Sequence, residues 1–447
     1  MSQLGNRLIG AAGPVLPTLC LIGAGAAQAQ TGTPALLGHQ APLVLDSAGA
    51  SWLGTSTALV LLMTLPGLAL FYGGMVRKKN VIATITQSVG VFAVVSLVWF
   101  IAGYSLAFGK NGSAGLQPFI GSLDMLFLNG VSLKTANAPL PGIPEFLFIS
   151  FQMTFAIITP ALVTGAFAER MKYSALLLFT ALWSLLVYAP ICHWVWGGGF
   201  LGSAGVLDFA GGAVVHVNSG VAGLVCAIVL GRRKGYGIEP ILAHNPVLTM
   251  IGASLLLVGW IGFNAGSAGA ANDLMGVALL NTLLAAAAAA LTWKIVEYIE
   301  KKKVSLIGML SGVVAGLVAI TPAAGFVDPK GAVIIGLIAG PACYASSVWV
   351  KKLLRYDDSL DAFGIHGAGG LIGALLTGVF ATTAINSLSE GANVGAQALG
   401  LLWTIVYSAV GTLIILMICK FTTGLRVSEA EEAAGLDTSL HGEALEH

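Results

Sequence analysis

The chain has 447 residues, of which 56 % are hydrophobic and only 9 % are charged, and its mean hydropathy is +0.88. Soluble domains carry about 25 % charged residues, so this composition excludes a soluble domain and indicates a polytopic membrane protein. The formal net charge of +1 indicates no particular class of partner, and we expect that the protein does not bind nucleic acid.

Residues 1–29 have the pattern of a cleaved bacterial secretory signal. A single basic residue, Arg7, precedes an apolar run, and the stretch ends in small residues with cleavage expected near Ala29. A first transmembrane helix is the alternative, but Pro14 and Pro17 and the A-x-A pattern disfavour it. We therefore predict that the mature chain begins outside the cell.

The mature chain contains eleven apolar segments of the length that a membrane span requires. Their centres lie near residues 63, 95, 157, 184, 221, 257, 285, 315, 340, 372 and 408. We predict an all-α polytopic membrane protein with eleven transmembrane helices, occupying residues 30–426.

The basic residues predict the orientation of these helices. Seventeen Lys and Arg residues lie on alternate loops, against only Lys110, Lys134 and Lys330 on the others. The positive-inside rule then places the mature N-terminus outside and the C-terminus in the cytoplasm, as the signal segment also predicts. For a bacterial chain this is the inner membrane.

Two histidines lie within otherwise apolar segments, five segments apart. His216 occurs in "DFAGGAVVHVNSG" and His366 in "DAFGIHGAGG", each after an acidic residue and glycines. Segments five apart run in opposite directions, which predicts two inverted five-helix repeats plus a final helix, with the functional site between the repeats. Counting 1.5 Å per residue places His216 roughly 10 Å from the outer face and His366 roughly 10 Å from the inner face.

Ionisable residues inside a membrane are costly and usually mark a pathway or a relay. A packing histidine bonded to a backbone carbonyl is the alternative for each position. A metal site is disfavoured, since no Cys, Asp or further His lies one helical turn away, and we expect no metal or cofactor. An intramembrane hydrolase using Ser219 is also disfavoured because no GxSxG or HExxH element is present.

Aromatic residues form a second group near the predicted outer ends of segments three, four and six. An interfacial aromatic belt would explain one or two of them. A cluster of ring faces beside the Ser267 hydroxyl could instead bind a cation, worth about 0.5 to 2 kcal/mol. The group comprises Phe151, Phe155, Trp194, Trp196, Trp260 and Phe263.

Residues 427–444, "VSEAEEAAGLDTSLHGEA", are acidic and have no transmembrane pattern. They are either a disordered solvated tail or an ordered cytoplasmic regulatory tail. Residues 445–447, "LEH", have the appearance of a tag remnant.

Several long motifs occur in an order that resembles the Amt branch of the Amt/Mep/Rh ammonium transporter family. They include "GLALFYGGMVRKKN", "GAFAERMKYSA", "WGGGFL", "LDFAGGAVVHVNSGVAGLV", "GWIGFNAGSAG", "ITPAAGFV", "DDSLDAFGIHGAGG" and "GLRVSEAEEAAGLDTSLHGE". The resemblance runs from about residue 50 to about residue 443. Neither the loop over residues 110–142 nor "HNPVLTM" follows a family motif, so no role is carried over to them.

The resemblance implies a homotrimer of eleven-helix subunits, each with its own pore. In this family, residues matching Trp196, Phe155 and Ser267 form an external ammonium site, which the residue matching Asp208 supports structurally. Residues matching Phe155 and Phe263 form a gate below that site. The twin pore histidines match His216 and His366, and it is the resemblance that implies their contact.

The function implied is ammonium transport in nitrogen uptake, not enzymatic catalysis. NH4+ would be captured outside and deprotonated, and NH3 would pass the histidines, with or without the proton. An ammonium sensor with little flux is the alternative. The resemblance also implies a PII signalling protein as a partner at the cytoplasmic face, besides ammonium, the other subunits and membrane lipid.

Overall fold

The computed structural model describes residues 40–445. The predicted signal segment, residues 1–29, lies outside the described residues, as do the last two residues of the predicted tag remnant. The described chain consists almost wholly of helices, with a single short pair of strands, β1 (Gln40–Pro42) and β2 (Thr135–Asn137). The strands are antiparallel, with Gln40 opposite Asn137.

Within residues 40–445, ten helices are long and apolar enough to cross a membrane, and one shorter apolar helix lies among them. In chain order they are α1 (Ser47–Met75), α2 (Lys78–Phe108), α3 (Glu145–Phe167), α4 (Tyr173–Ser203), α5 (Gly212–Leu230), α6 (Pro246–Ala265), α7 (Asp273–Lys301), α8 (Leu306–Ile320), α9 (Pro329–Leu354), α10 (Phe363–Phe380) and α11 (Val394–Thr422). Each coincides with one predicted apolar segment, which confirms the fold class. The shorter helix is α8.

Many of these helices have an N-terminal side-chain cap. The cap accepts hydrogen bonds from the first amide groups, which have no partner within the helix. Asp46 accepts hydrogen bonds from two amides at the start of α1, and Asn245 does the same for α6, where Pro246 occupies the first helical position. Asp328 caps α9, accepting from the amide of Gly331 at 2.8 Å. Further caps of this kind are Asn272 on α7, Ser305 on α8 and Asn393 on α11.

The helices α3 and α5 form the centre of the molecule, whereas α11 lies at its edge. Of the most apolar stretch of each helix, 78 % is buried inside the protein in α5 and 33 % in α11. Close approach of α5 to α10 depends on Gly220, since a Cβ atom there would collide with the backbone of Gly367. The wide, exposed face of α11 carries leucines, valines and isoleucines, as expected beside lipid.

The acidic tail is ordered and packs against the start of α2. A short helix, α12 (Glu429–Ala434), begins with a reciprocal Ser428–Glu431 capping box and is followed by a wide helical turn, Asp437–His441. The Asp437 carboxylate accepts a hydrogen bond from the amide of Ala83 at 2.8 Å, and the Leu436 amide donates to the Asn80 side chain at 2.8 Å.

Candidate functional site

The two intramembrane histidines meet between α5 and α10. Nδ1 of His216 lies 3.3 Å from Nδ1 of His366, and the ring centroids are 5.3 Å apart with an interplanar angle of 22°. Their exposed fractions are 1 % and 4 %. A hydrogen bond between two Nδ1 atoms needs one donor and one acceptor, so both rings cannot carry a proton on Nδ1 at once.

The predicted depths of the two histidines are therefore wrong. The count took the start of each segment as the membrane surface. In the structure the residues before both segments are already buried, with Asp208 6 % and Asp358 1 % exposed, so the start of a segment does not mark the surface of the protein. Each histidine lies on a wide, π-helical first turn, Gly212–Val217 in α5 and Phe363–Gly367 in α10.

Aromatic rings cover the outer side of His216. Trp260 stacks on it with centroids 5.3 Å apart and an interplanar angle of 21°, and Phe263 lies 5.9 Å away. The indole Nε1 of Trp260 donates to the Thr321 hydroxyl at 2.9 Å, which fixes the ring plane. Within residues 40–445, Nε2 of His216 has no hydrogen-bond partner, although it is buried.

Two stacked phenylalanines lie above the histidines. The Phe155 and Phe263 centroids are 4.2 Å apart with an interplanar angle of 21°, and both side chains are fully buried. The two rings come from different helices, α3 and α6. Apolar rings in contact offer no hydrogen-bond partner to a hydrated ion.

The predicted outer residues lie directly above this pair. The half-buried Trp196 ring meets Phe155 edge to face, at 6.0 Å and 85°. The Ser267 hydroxyl is half-buried too and donates to the Phe263 carbonyl at 2.8 Å, so its lone pairs stay available to an incoming donor. Trp196, Phe155, Phe263, His216 and His366 thus form a continuous file of ring contacts, called the ring file below.

Asp208 does not join the ring file through its carboxylate. Its two carboxylate oxygens accept hydrogen bonds from four successive amides, those of residues 211–214, at 2.6 to 3.1 Å. These are the first amides of α5, so the carboxylate caps the helix that carries His216. The Asp208 carbonyl accepts from Nε1 of Trp196 at 2.8 Å.

Trp194 belongs to a different group, although the sequence grouped it with Trp196. Its Nε1 donates to the Phe119 carbonyl at 2.7 Å and its ring packs on Tyr407 of α11. The adjacent His193 also faces the outer loop, with Nε2 2.6 Å from the carbonyl oxygen of Gln117. These residues anchor part of the loop over residues 110–142 and do not line the ring file.

Charged residues cluster at the other end of the molecule, at the predicted cytoplasmic face. The buried Glu169 pairs with Arg77 at 2.8 Å and with Arg233 at 3.2 Å, and Arg233 pairs with Asp357 at 2.8 Å. Burial alone would raise the pKa of Glu169, but Arg233 and Arg77 outweigh it and lower the pKa of this carboxyl. Arg233 likewise lowers the pKa of Asp357 against the effect of burial.

Among residues 40–445, no group of three or more His, Cys, Asp or Glu side chains is arranged to hold a metal ion. The structure changes the assignment of one residue, Trp260, and adds another, Asp358. Trp260 was placed in the outer aromatic group but its ring lies against His216. No spacing in the sequence distinguishes a ring beside His216 from one in the outer group. Asp358 was not singled out, although its position relative to His366 repeats that of Asp208 relative to His216.

These features define a polytopic membrane protein with a buried path of rings between two inverted halves. The model of the Ammonium Transporter Family matches residues 51–445. An ammonium transporter of Aquifex aeolicus is 48 % identical over 89 % of this chain and 93 % of its own length. One from Bacillus subtilis is 48 % identical over 86 % and 95 % of the two chains.

Solved structures agree with these relatives. Mep2 of Saccharomyces cerevisiae superposes with a TM-score of 0.79 at 37 % identity, covering 86 % of this chain and 88 % of its own. A structure titled Sensor Amt Protein gives a TM-score of 0.81 at 32 % identity, covering 88 % and 98 %. The chain belongs to the ammonium transporter family, whose members are transporters and not enzymes.

Proposed function

We propose that this protein captures NH4+ at Trp196, Phe155 and Ser267, removes a proton, and passes NH3 along His216 and His366. The observation that carries the proposal is the ring file, which leads from a half-buried tryptophan to a buried histidine pair without a charged side chain. Cation–π attraction at Trp196 contributes about 0.5 to 2 kcal/mol, enough to concentrate a cation without trapping it. The Ser267 oxygen can accept one N–H of the ion.

Below the outer residues, a permanent charge is strongly disfavoured. Phe155 and Phe263 offer no hydrogen-bond partner, and moving an ion through such surroundings costs several kcal/mol. Ammonium avoids this cost by losing a proton, whereas potassium cannot. The pore thus discriminates by acidity and not by size.

The hydrogen-bonded histidines can act towards a neutral solute as a hydrogen-bond donor or as an acceptor. If one ring donates from Nδ1 to the other, the neutral pair presents one protonated Nε2 and one free Nε2 lone pair. Ammonia has both a lone pair and N–H groups, so it can bind to either ring. Asp208 supports the arrangement by capping α5 and accepting from Trp196, without touching the solute.

Transport by the purified full chain in liposomes is the direct test. Solid-supported-membrane currents and internal alkalinisation are recorded after ammonium and potassium jumps at two pH values, with protein-free liposomes as the control. The proposal predicts an ammonium response and no potassium response. Ammonium binding without current and without alkalinisation would overturn transport and favour a sensor, the second candidate, which the likeness to the structure titled Sensor Amt Protein supports.

We also propose that the protein is a homotrimer in the bacterial inner membrane, with its N-terminus outside and its C-terminus in the cytoplasm. The cytoplasmic tail is then regulatory and binds a PII signalling protein. Its contacts with α2 support this role, because they link residues 436 and 437 to Asn80 and Ala83 in the first turns of that helix. Calorimetry with PII protein under ATP, ADP and 2-oxoglutarate tests the partner; absence of binding under every condition contradicts it.

A further inference from the structure

The two halves of the molecule repeat one acidic residue in relation to the histidines. Asp208 stands eight positions before His216, and Asp358 stands eight positions before His366. Both carboxylates are buried, at 6 % and 1 % exposed. Asp358 therefore occupies, in the second half, the position that Asp208 occupies in the first.

The backbone after each acid follows the same course. Three positions on, it takes a left-handed conformation, with φ of +113° at Gly211 and +59° at Asp361. The carbonyl of Gly211 then accepts from the amide of Val215 at 2.9 Å, and that of Asp361 accepts from the amide of Ile365, also at 2.9 Å. The turn that starts each histidine helix is thus built alike in the two halves.

The Asp358 carboxylate caps the helix that carries His366. Oδ1 accepts a hydrogen bond from the amide of Ala362 at 3.0 Å, and Oδ2 accepts from the amide of Phe363 at 2.8 Å. The first amides of a helix have no partner within it, and a carboxylate both satisfies them and favours the positive end of the helix dipole. These amides lie within one helical turn of His366, so the bonds act directly on the backbone that carries the imidazole.

Asp361 makes this support necessary. A residue other than glycine is uncommon at positive φ, and here it lies between the cap and the histidine turn. The Asp361 carboxylate pairs with Lys351 of α9, which restrains the turn from one side. The two bonds to Asp358 restrain it from the other.

We propose that Asp358 is a positioning residue for transport: its carboxylate holds the first turn of α10 so that His366 keeps its contact with His216. It touches neither the solute nor the outer residues. The inference rests on the proposed function, in which the histidine pair conducts NH3. Loss of the carboxylate should therefore slow passage and leave capture at Trp196 unchanged.

The test compares D358A, which removes both acceptor oxygens, with D358N, which keeps one. The control is D328A, because the Asp328 carboxylate also caps a helix, through one amide of α9, but lies far from the histidines in sequence and on a helix that carries neither. Ammonium currents in liposomes give a maximal rate and a half-saturating concentration for each assembled variant. We expect the maximal rate to fall about 10- to 100-fold in D358A and less in D358N, with half-saturation unchanged.

The outcomes separate this inference from the proposed function. An inactive parent chain means that the proposed function has failed. If the parent is active, any one of three results overturns the role of Asp358. Either D358A transports like the parent, or D358A and D328A lose activity equally, or D358A shifts only the half-saturating concentration. If D358A does not assemble, D358N decides: a lower maximal rate at unchanged half-saturation supports the role, and parent-like transport overturns it.

Discussion

The indole Nε1 of Trp196 donates a hydrogen bond to the backbone carbonyl of Asp208 at 2.8 Å, while the Asp208 carboxylate caps the helix that carries His216. One residue thus connects the outermost ring of the ring file to the helix of the first histidine. This connection explains how Trp196 and His216 keep a fixed spacing, although they belong to α4 and α5.

Replacing Trp196 with leucine removes the outer ring face and keeps an apolar side chain. We expect the half-saturating ammonium concentration to rise about 2- to 30-fold, corresponding to the loss of about 0.5 to 2 kcal/mol of cation–π attraction. The measurement is the concentration dependence of currents in liposomes. W403L is the control, since Trp403 is 46 % exposed on α11 and packs on Phe200 outside the ring file. Equal responses of the two variants would reduce Trp196 to an interfacial aromatic residue.

The ion pairs of Glu169 make stability depend on pH in a stated direction. The pKa of this carboxyl is lowered in the folded protein from an ordinary value of 4.5, so its stabilising contribution is complete above about pH 4.5 and is lost as the pH falls through the lowered pKa. We expect E169Q to be less stable than the parent by about 3 kcal/mol at neutral pH, since a buried ion pair loses one partner.

Unfolding of the detergent-solubilised protein, followed from neutral to acidic pH, checks this expectation. The stability difference between the parent and E169Q should shrink below about pH 4.5. E390Q, a substitution of an exposed glutamate, serves as the control and should follow the parent throughout. A difference that stays constant with pH would assign the effect to packing and not to ionisation.

Replacing Asp437 with alanine should release the tail from α2. Its buried carboxylate accepts the Ala83 amide bond that fixes the tail beneath α2. Hydrogen exchange should accelerate across residues 428–441 in D437A and remain unchanged in E443A, which alters an exposed residue of the same tail. Unchanged protection in D437A would show that other contacts, such as the Arg426–Glu432 pair, hold the tail alone.

The sequence predicted ten of the helices because their apolar segments have the length that a bilayer demands. It predicted α8 from its apolar character, although this helix is shorter, with 15 residues. It could not predict the depth of the histidines, since that depends on where the turns after Asp208 and Asp358 lie within the folded protein. Nor could it separate Trp194 from Trp196: the two are neighbours in one motif, and only the packing of the outer loop and α11 distinguishes them.

The most direct test of the proposed deprotonating histidine pore is a measurement of whether it excludes potassium. The double variant H216D/H366E places negative charge beside the buried rings, which stabilises a permeating cation and draws water into the path. Currents of the assembled variant in liposomes, with uptake by potassium-transport-deficient cells, should show potassium competing with ammonium or passing, whereas we expect the parent to exclude potassium. An assembled double variant that conducts ammonium as before and still excludes potassium would contradict the account.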